Sequence, residues 1–184
     1  MTTSVRVPFV VALLLVAVSS TTASEAQDPK ARIKVATGVL LGAPNAATTQ
    51  AMVVGALLEL LDVTVMLTRK SPYAADIQSR IDVAKDLFQK TSLFNEKARQ
   101  CLSFAHRMMT GGKKYERPKE LDEFVTMEGA QQKSRKYCAA LVDDALAALE
   151  RGDEGGAAIR LLQLVLAVVT PVAGDPAATH ADLR

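Results

Sequence analysis

The sequence predicts an all-α protein: a compact antiparallel bundle of four main helices, preceded by a cleaved signal peptide and followed by a loose C-terminal tail. Hydrophobic residues make up 49% of the 184 residues and aromatic residues only 4%. Ala, Leu, Val and Met therefore supply most of the apolar mass, which favours closely packed helices over β-sandwiches. Several stretches repeat apolar residues at spacings of three, four and seven, which is the pattern of a helix with one buried face. Short Pro- or Gly-containing breaks separate them, as in an antiparallel bundle.

Residues 1–26 have the organisation of a secretory signal peptide. Arg6 supplies the positive charge, residues 7–18 form an apolar run, and the residues after it are small or polar. Small residues stand at the positions required for cleavage before Gln27 or before Ser24. The apolar run is much shorter than the roughly 20 residues of a transmembrane helix, so a cleaved leader is favoured over a retained anchor. The sequence thus predicts an exported protein, periplasmic or extracellular.

The mature chain is long enough for one domain with a hydrophobic core, since removal of 26 of the 184 residues leaves 158. We divide it into an N-terminal segment (27–45), a helical bundle domain (46–170) and a flexible tail (171–184). The formal net charge of +2 is too small to hold a nucleic acid electrostatically. Nucleic acid is therefore not expected as a partner.

The first bundle helix is predicted over residues 46–69 and is apolar on most sides. Its narrow polar line includes Glu59 and Asp62, and two acids make a transmembrane role unfavourable. A helix of this kind belongs at the centre of a bundle. The preceding segment (27–45) is compatible with either a short helix or a strand.

The later elements follow from their boundary residues. Ser71 and Pro72 end the first helix and begin the second, because Ser suits the N-cap and Pro the first helical position. The apolar pattern slips at residues 91–95, which predicts a kink or a new start. The remaining predicted elements are a helical stretch ending at Gly111 and Gly112, a basic loop at 113–119, a short helix after Pro118, a helix over 131–150, a turn at 151–153 and a helix over 156–169.

Cys101 and Cys138 are the two cysteines of the chain and both lie on apolar helix stripes. An even pair in an exported protein is a disulfide candidate, and the alternative is two buried thiols. A simple hairpin would place Cys101 opposite Met127, too far from Cys138 for a bond. The disulfide therefore also predicts a helix break near Gly129.

His106, with Met108 and Met127, forms a candidate pocket for a small hydrophobic ligand or haem. Methionines at helical spacing are usually core residues, and the sequence has no C-x-x-C-H motif for covalent haem. We therefore assign no metal and no cofactor from the sequence.

Glu59 and Asp62 are candidate functional acids, because they stand on an otherwise apolar helix. A hydrolase could use such carboxylates. The structural alternative is a solvated edge or an ion pair, for which the sequence offers Arg69, Arg160 and Lys85.

A basic cluster at Lys113, Lys114, Arg117 and Lys119 is the candidate surface for an anionic partner. Such a partner could be a polysaccharide, a lipid headgroup or an acidic envelope protein. Lysine-rich loops also serve solubility alone, and neighbouring acids dilute the charge.

The functional expectation is an exported helical protein that binds or scaffolds, with no catalytic residue assigned. The alternatives are a bundle that holds a hydrophobic ligand or haem near His106, and a hydrolase that uses carboxylates around Glu59. Helical bundles support all three classes, so the fold does not choose among them.

Overall fold

The computed structural model describes residues 28–42, 49–118 and 127–170, with the side chains of 127–134 outside the description. Helices account for all the regular structure of these residues, and they include no strand, so the all-α prediction is confirmed. The helices are α1 (Pro29–Leu41), α2 (Gln50–Leu67), α3 (Ala74–Lys90), α4 (Glu96–Met109), α5 (Met127–Glu150) and α6 (Glu154–Val169). The signal peptide, the tail and the short helix expected after Pro118 lie outside the described residues.

The described residues contain six helices, so the bundle of four main helices is not confirmed. Part of the N-terminal segment folds as α1, which Asp28 caps by accepting a hydrogen bond from the Lys30 amide at 3.0 Å. The slip at residues 91–95 proves to be a new start, because Asn95 caps α4 by accepting from the Ala98 amide at 3.0 Å. Asp28 and Asn95 are thus strong N-cap residues at the starts of two different helices, and such caps stabilise even short helices.

Two helices, α2 and α6, form the centre of the arrangement. They pack against each other, α2 also packs against α1 and α3, and α6 also packs against α4 and α5. Contacts between α1 and α5 and between α3 and α4 close the two sides. The structure is therefore two groups of four helices that share the α2–α6 pair. The sequence predicted one central helix, which corresponds to α2, but α6 is central as well. In α6 the consecutive positions from Leu164 to Ala167 are buried.

Among the described helices, α2 alone is long and apolar enough to cross a membrane by length and composition. Its place beside α6 gives another reason for this composition. Leu57, Leu60 and Leu61 are fully buried in the core, and such burial requires an apolar helix surface on several sides.

Cys101 and Cys138 are free and buried, so the disulfide prediction is wrong. Cys101 lies on α4 and Cys138 on α5, and these helices each pack against α6 but not against each other. The associated helix break is wrong as well, since α5 runs through Gly129. The predicted export made the bond reasonable, but a predicted compartment says nothing about whether two helices are neighbours.

The two thiols should be unreactive in the folded protein. Burial raises the pKa of Cys138 to about 11, so little reactive thiolate is present near neutral pH. Iodoacetamide should add slowly or not at all to the native protein and should add twice after denaturation without reductant, as read by intact mass. Denatured protein that takes up no label until it is reduced would establish a bond and contradict this assignment.

Leu61→Asp should unfold the protein, because it places an unpaired charge in the centre of the core. Leu61 is fully buried whereas Val35 is 73% exposed, so Val35→Asp is the matched control. Burying a carboxylate without a partner costs several kcal/mol, which is comparable to the whole stability of a small domain. Thermal unfolding followed by circular dichroism measures the difference. A Leu61→Asp variant that melts with the control would disprove the central position of α2.

Candidate functional site

A cleft of about 470 Å³ lies between α4, the segment 113–118 that follows it, and the end of α6. We call it the α4–α6 cleft. Its basic lining residues are Arg99, Arg107, Lys114 and Arg117, and its one acidic lining residue is Glu96. The other lining residues are Gln100, Ser103, Phe104, Tyr115, Leu166 and Thr170. The lining thus carries four positive charges against one negative charge.

The helix α4 supplies one wall through residues that share a face. Arg99, Ser103 and Arg107 follow one another at four-residue spacing, so their side chains project from the same side of the helix. At its end the chain reverses through Gly111 and Gly112, whose φ angles are +65° and +96°. Glycine adopts this left-handed region without the strain that other residues incur. The reversal brings the segment 113–118 back beside α4.

Two hydrogen bonds hold this returning segment in place. The Thr110 hydroxyl lies 2.8 Å from the His106 carbonyl and 2.9 Å from the Lys113 carbonyl, so its one proton is shared between the end of α4 and the start of the segment. Arg117 Nη1 donates to the Thr170 carbonyl at 2.5 Å, which ties its other end to the residue after α6. The segment therefore presents Lys114 and Tyr115 to the cleft from a fixed backbone.

The basic side chains differ in what they contact. Arg99 forms an ion pair with Glu96, and Arg117 is oriented by the Thr170 carbonyl. Within the described part of the chain, Arg107 and Lys114 have no acidic partner. These two cations can meet an anion in the cleft without first breaking an internal ion pair.

Apolar surface lies beside the charges. Phe104 is 46% exposed, which is unusual for a large aromatic side chain. The Arg80 guanidinium of α3 lies over its ring, 4.8 Å from the centroid, and this cation–π contact fixes the ring position. With the ring of Tyr115, Phe104 gives the cleft an apolar surface next to its positive groups, and the buried Leu166 forms part of its floor.

A buried histidine contacts the cleft residue Tyr115. The rings of His106 and Tyr115 meet edge to face with centroids 5.9 Å apart, and His106 is only 2% exposed. Its Nε2 lies 3.2 Å from Nε2 of Gln163. Its Nδ1 lies towards the Lys113 carbonyl without a hydrogen bond of good geometry.

The hydrogen bonds of Gln163 indicate which nitrogen of the neutral His106 ring carries the proton. Arg160 donates to Oε1 of Gln163 at 3.0 Å, so the Gln163 amide must present its NH₂ group to the imidazole. His106 Nε2 is then the acceptor, and the single ring proton lies on Nδ1. Burial lowers the pKa of His106, and the nearby Lys113 carbonyl opposes this in part.

Tyr115 stays protonated. Burial raises the pKa of its hydroxyl, and the neighbouring Tyr137 and Cys138 raise it further, while Arg117 acts in the opposite direction. The phenol therefore serves as a neutral polar group and not as a base near neutral pH.

The residues predicted around His106 are placed as follows. Met108 is half-buried on α4, and Met127 begins α5 with its side chain outside the description. His106 Nε2 is paired with Gln163, while Nδ1 is buried without a hydrogen-bond partner. A haem iron could reach neither nitrogen unless the packing around this 2% exposed side chain opened, so this geometry favours a structural histidine.

The two acids of α2 each form an ion pair with a neighbouring helix. Glu59 accepts from Arg32 Nε on α1 at 2.5 Å, and Asp62 accepts from Lys85 on α3 at 2.5 Å. Lys85 was among the predicted partners, whereas Arg32 lay in the segment whose structure the sequence left open. These partly exposed pairs orient α1 and α3 on α2, for up to about 1 kcal/mol each.

The predicted basic cluster contributes half of the positive charge of the cleft. Lys114 and Arg117 line it, Lys113 is exposed outside the lining, and Lys119 lies beyond the described residues. Sequence reasoning missed Arg99, Arg107 and Phe104. The available signal was the four-residue spacing of Arg99, Ser103 and Arg107 along α4.

No family model, curated protein or solved structure matches the chain. The described residues contain no group of three side chains suited to hold a metal ion.

Proposed function

We propose that this protein is an exported binding protein whose α4–α6 cleft takes a small anionic ligand with an apolar part. The observation that carries the proposal is the lining itself, in which four basic side chains and one acid surround the exposed Phe104 ring. Export is proposed on the signal-peptide pattern of residues 1–26.

The charge of the cleft supports an anion as the ligand. Arginine guanidinium groups bind carboxylate, phosphate or sulfate oxygens through two parallel hydrogen bonds. Arg107 and Lys114 have no acidic partner in the described part of the chain, so binding need not displace a carboxylate from them. Arg117 is oriented in advance by its bond to the Thr170 carbonyl, which lowers the entropy cost of binding.

The size and the apolar surface support a small molecule over a polymer. The volume of about 470 Å³ falls within the range typical of small-molecule sites, roughly 300–1,000 Å³. The exposed Phe104 ring can cover a ring or a short aliphatic group while the basic residues hold the charged end. A polysaccharide or an acidic protein would need a longer charged surface than these few side chains provide.

Binding is proposed over catalysis because the lining supplies charge and shape. The Tyr115 hydroxyl, whose pKa burial raises, is not available as a base. His106 is only 2% exposed, and its Nε2 is paired with Gln163. The acids Glu59 and Asp62 are engaged in ion pairs between helices.

Naphthalene-2-sulfonate is a suitable probe because it joins a permanent negative charge to an aromatic ring. The chain has no tryptophan, so naphthalene fluorescence reports binding directly. The wild type should bind the sulfonate, and Arg107→Ser should weaken binding by about tenfold, the usual loss for a charge-assisted hydrogen bond. Arg151 is exposed and does not line the cleft, so Arg151→Ser is the matched control and should bind as the wild type does.

The neutral analogue naphthalene-2-sulfonamide separates charge recognition from apolar adsorption. It should bind much more weakly than the sulfonate. Equal affinity for the two compounds, or equal loss of affinity in the Arg107 and Arg151 variants, would refute the α4–α6 cleft as an anion site.

A further inference from the structure

We infer that anion binding in the α4–α6 cleft is coupled to protonation of His106, so that the cleft holds its ligand more tightly in acid. This inference rests on the proposed function and names the regulation of that site. It comes from the position of His106, a buried imidazole in contact with Tyr115, which itself lines the cleft.

The free protein favours the neutral imidazole because a second proton would have to bind at Nε2. That atom faces the Gln163 NH₂ group, and two N–H donors cannot hydrogen-bond each other. Gln163 would have to turn its oxygen to His106 and give up the bond from Arg160. Protonation therefore requires a local rearrangement as well as the burial of a charge.

No acid is paired with His106 within the described residues to compensate a positive imidazole. On α6, Gln163 is neutral and Arg160 behind it pairs with Asp144. The segment 113–118 contributes Lys113, the neutral phenol of Tyr115 and Glu116, whose exposed carboxylate is screened by water. The remaining charged groups nearby are Arg107 on α4 itself, Arg80 of α3 at Phe104, Arg117 at the end of the segment, and Glu96, which pairs with Arg99.

A bound anion supplies the missing compensation. An anion in contact with Tyr115 lies one ring away from the imidazole, where opposite charges still attract inside a partly buried site. The anion then stabilises the protonated form, and protonation must strengthen anion binding by the same factor. For charges at that separation we expect a factor of about ten.

The direction with pH follows from the lowered pKa of His106, whose main cause is burial. Above the ordinary value of 6.5 the histidine is neutral in both the folded and the unfolded chain, and its contribution to stability is complete. As the pH falls below 6.5 the unfolded chain takes up the proton first, so the free protein loses stability. Ligand should reverse part of this loss.

Titration with naphthalene-2-sulfonate at about pH 8 and about pH 5 tests the coupling, because the sulfonate remains ionised at both values while histidine titrates between them. Wild type should bind about tenfold more tightly at the lower pH. His106→Gln, which keeps a polar side chain but cannot take the charge, should bind equally at both. His180→Gln controls for the other histidine and should retain the wild-type dependence.

A second variant, Gln163→Glu, and an NMR titration of His106 in the wild type keep the test independent of whether His106→Gln folds. Gln163→Glu puts a carboxylate beside the imidazole, which cancels the added charge, so the tightening in acid should disappear while circular dichroism stays that of the wild type. In the wild type, saturating sulfonate should raise the pKa of His106, followed by NMR of the imidazole, by about one unit.

Equal affinity at both pH values in the wild type, or wild-type pH dependence in both His106→Gln and Gln163→Glu, would overturn the coupling. If Arg107→Ser still weakened sulfonate binding about tenfold while Arg151→Ser did not, the proposed function would stand without the coupling. Absence of sulfonate binding at either pH would overturn the proposed function and the coupling together.

Discussion

The packing of α2 against α6 is the constraint on which the rest of the structure depends. Both helices bury side chains in several directions, as the consecutive buried positions from Leu164 to Ala167 show. A helix of this kind is stable only when neighbours cover most of its circumference. Two such helices in contact still leave two sides open, and the pairs α1–α5 and α3–α4 cover them. The ion pairs of Glu59 and Asp62 set the positions of α1 and α3 on that centre.

The α4–α6 cleft follows from how α4 covers the central helix. One face of α4 buries Leu102 and Ala105, while another carries the cleft residues Arg99 and Arg107. The glycine reversal after α4 returns the chain along this second face, and Arg117 anchors it to the end of α6. Packing thus positions the charged side chains on a fixed frame, which is the requirement for selective binding. The same packing buries His106 behind Tyr115, so that a core residue contacts a residue of the cleft lining.

The sequence predicted the parts of the fold that depend on local pattern. The apolar helix containing Glu59 and Asp62 is present, and the predicted turn at 151–153 is formed, with Gly152 at a φ of +74°. The sequence left residues 27–45 open between a helix and a strand, because their short apolar pattern fits both. Asp28 before Pro29 was the overlooked helix start. The disulfide was wrong because helix adjacency is a tertiary property.

The site was predictable only in part for the same reason. Lys114 and Arg117 were recognised because they are neighbours in sequence. Arg107 comes beside them through the glycine reversal after α4. Thr170 reaches Arg117 only through the packing of α4 on α6, which no spacing in the sequence encodes. The tautomer of His106 depends on Gln163, 57 residues away, and this too follows from tertiary structure alone.

Hydrogen exchange of the native protein, followed by mass spectrometry of its peptides, tests the central position of α2 and α6 most directly. Amides in the best-packed elements exchange only through global opening, whereas covering elements also exchange through local opening. Peptides from the middle of α2 and α6 should therefore exchange most slowly, and peptides from α1 should exchange earlier. Exchange in α2 or α6 as fast as in α1 would contradict the account.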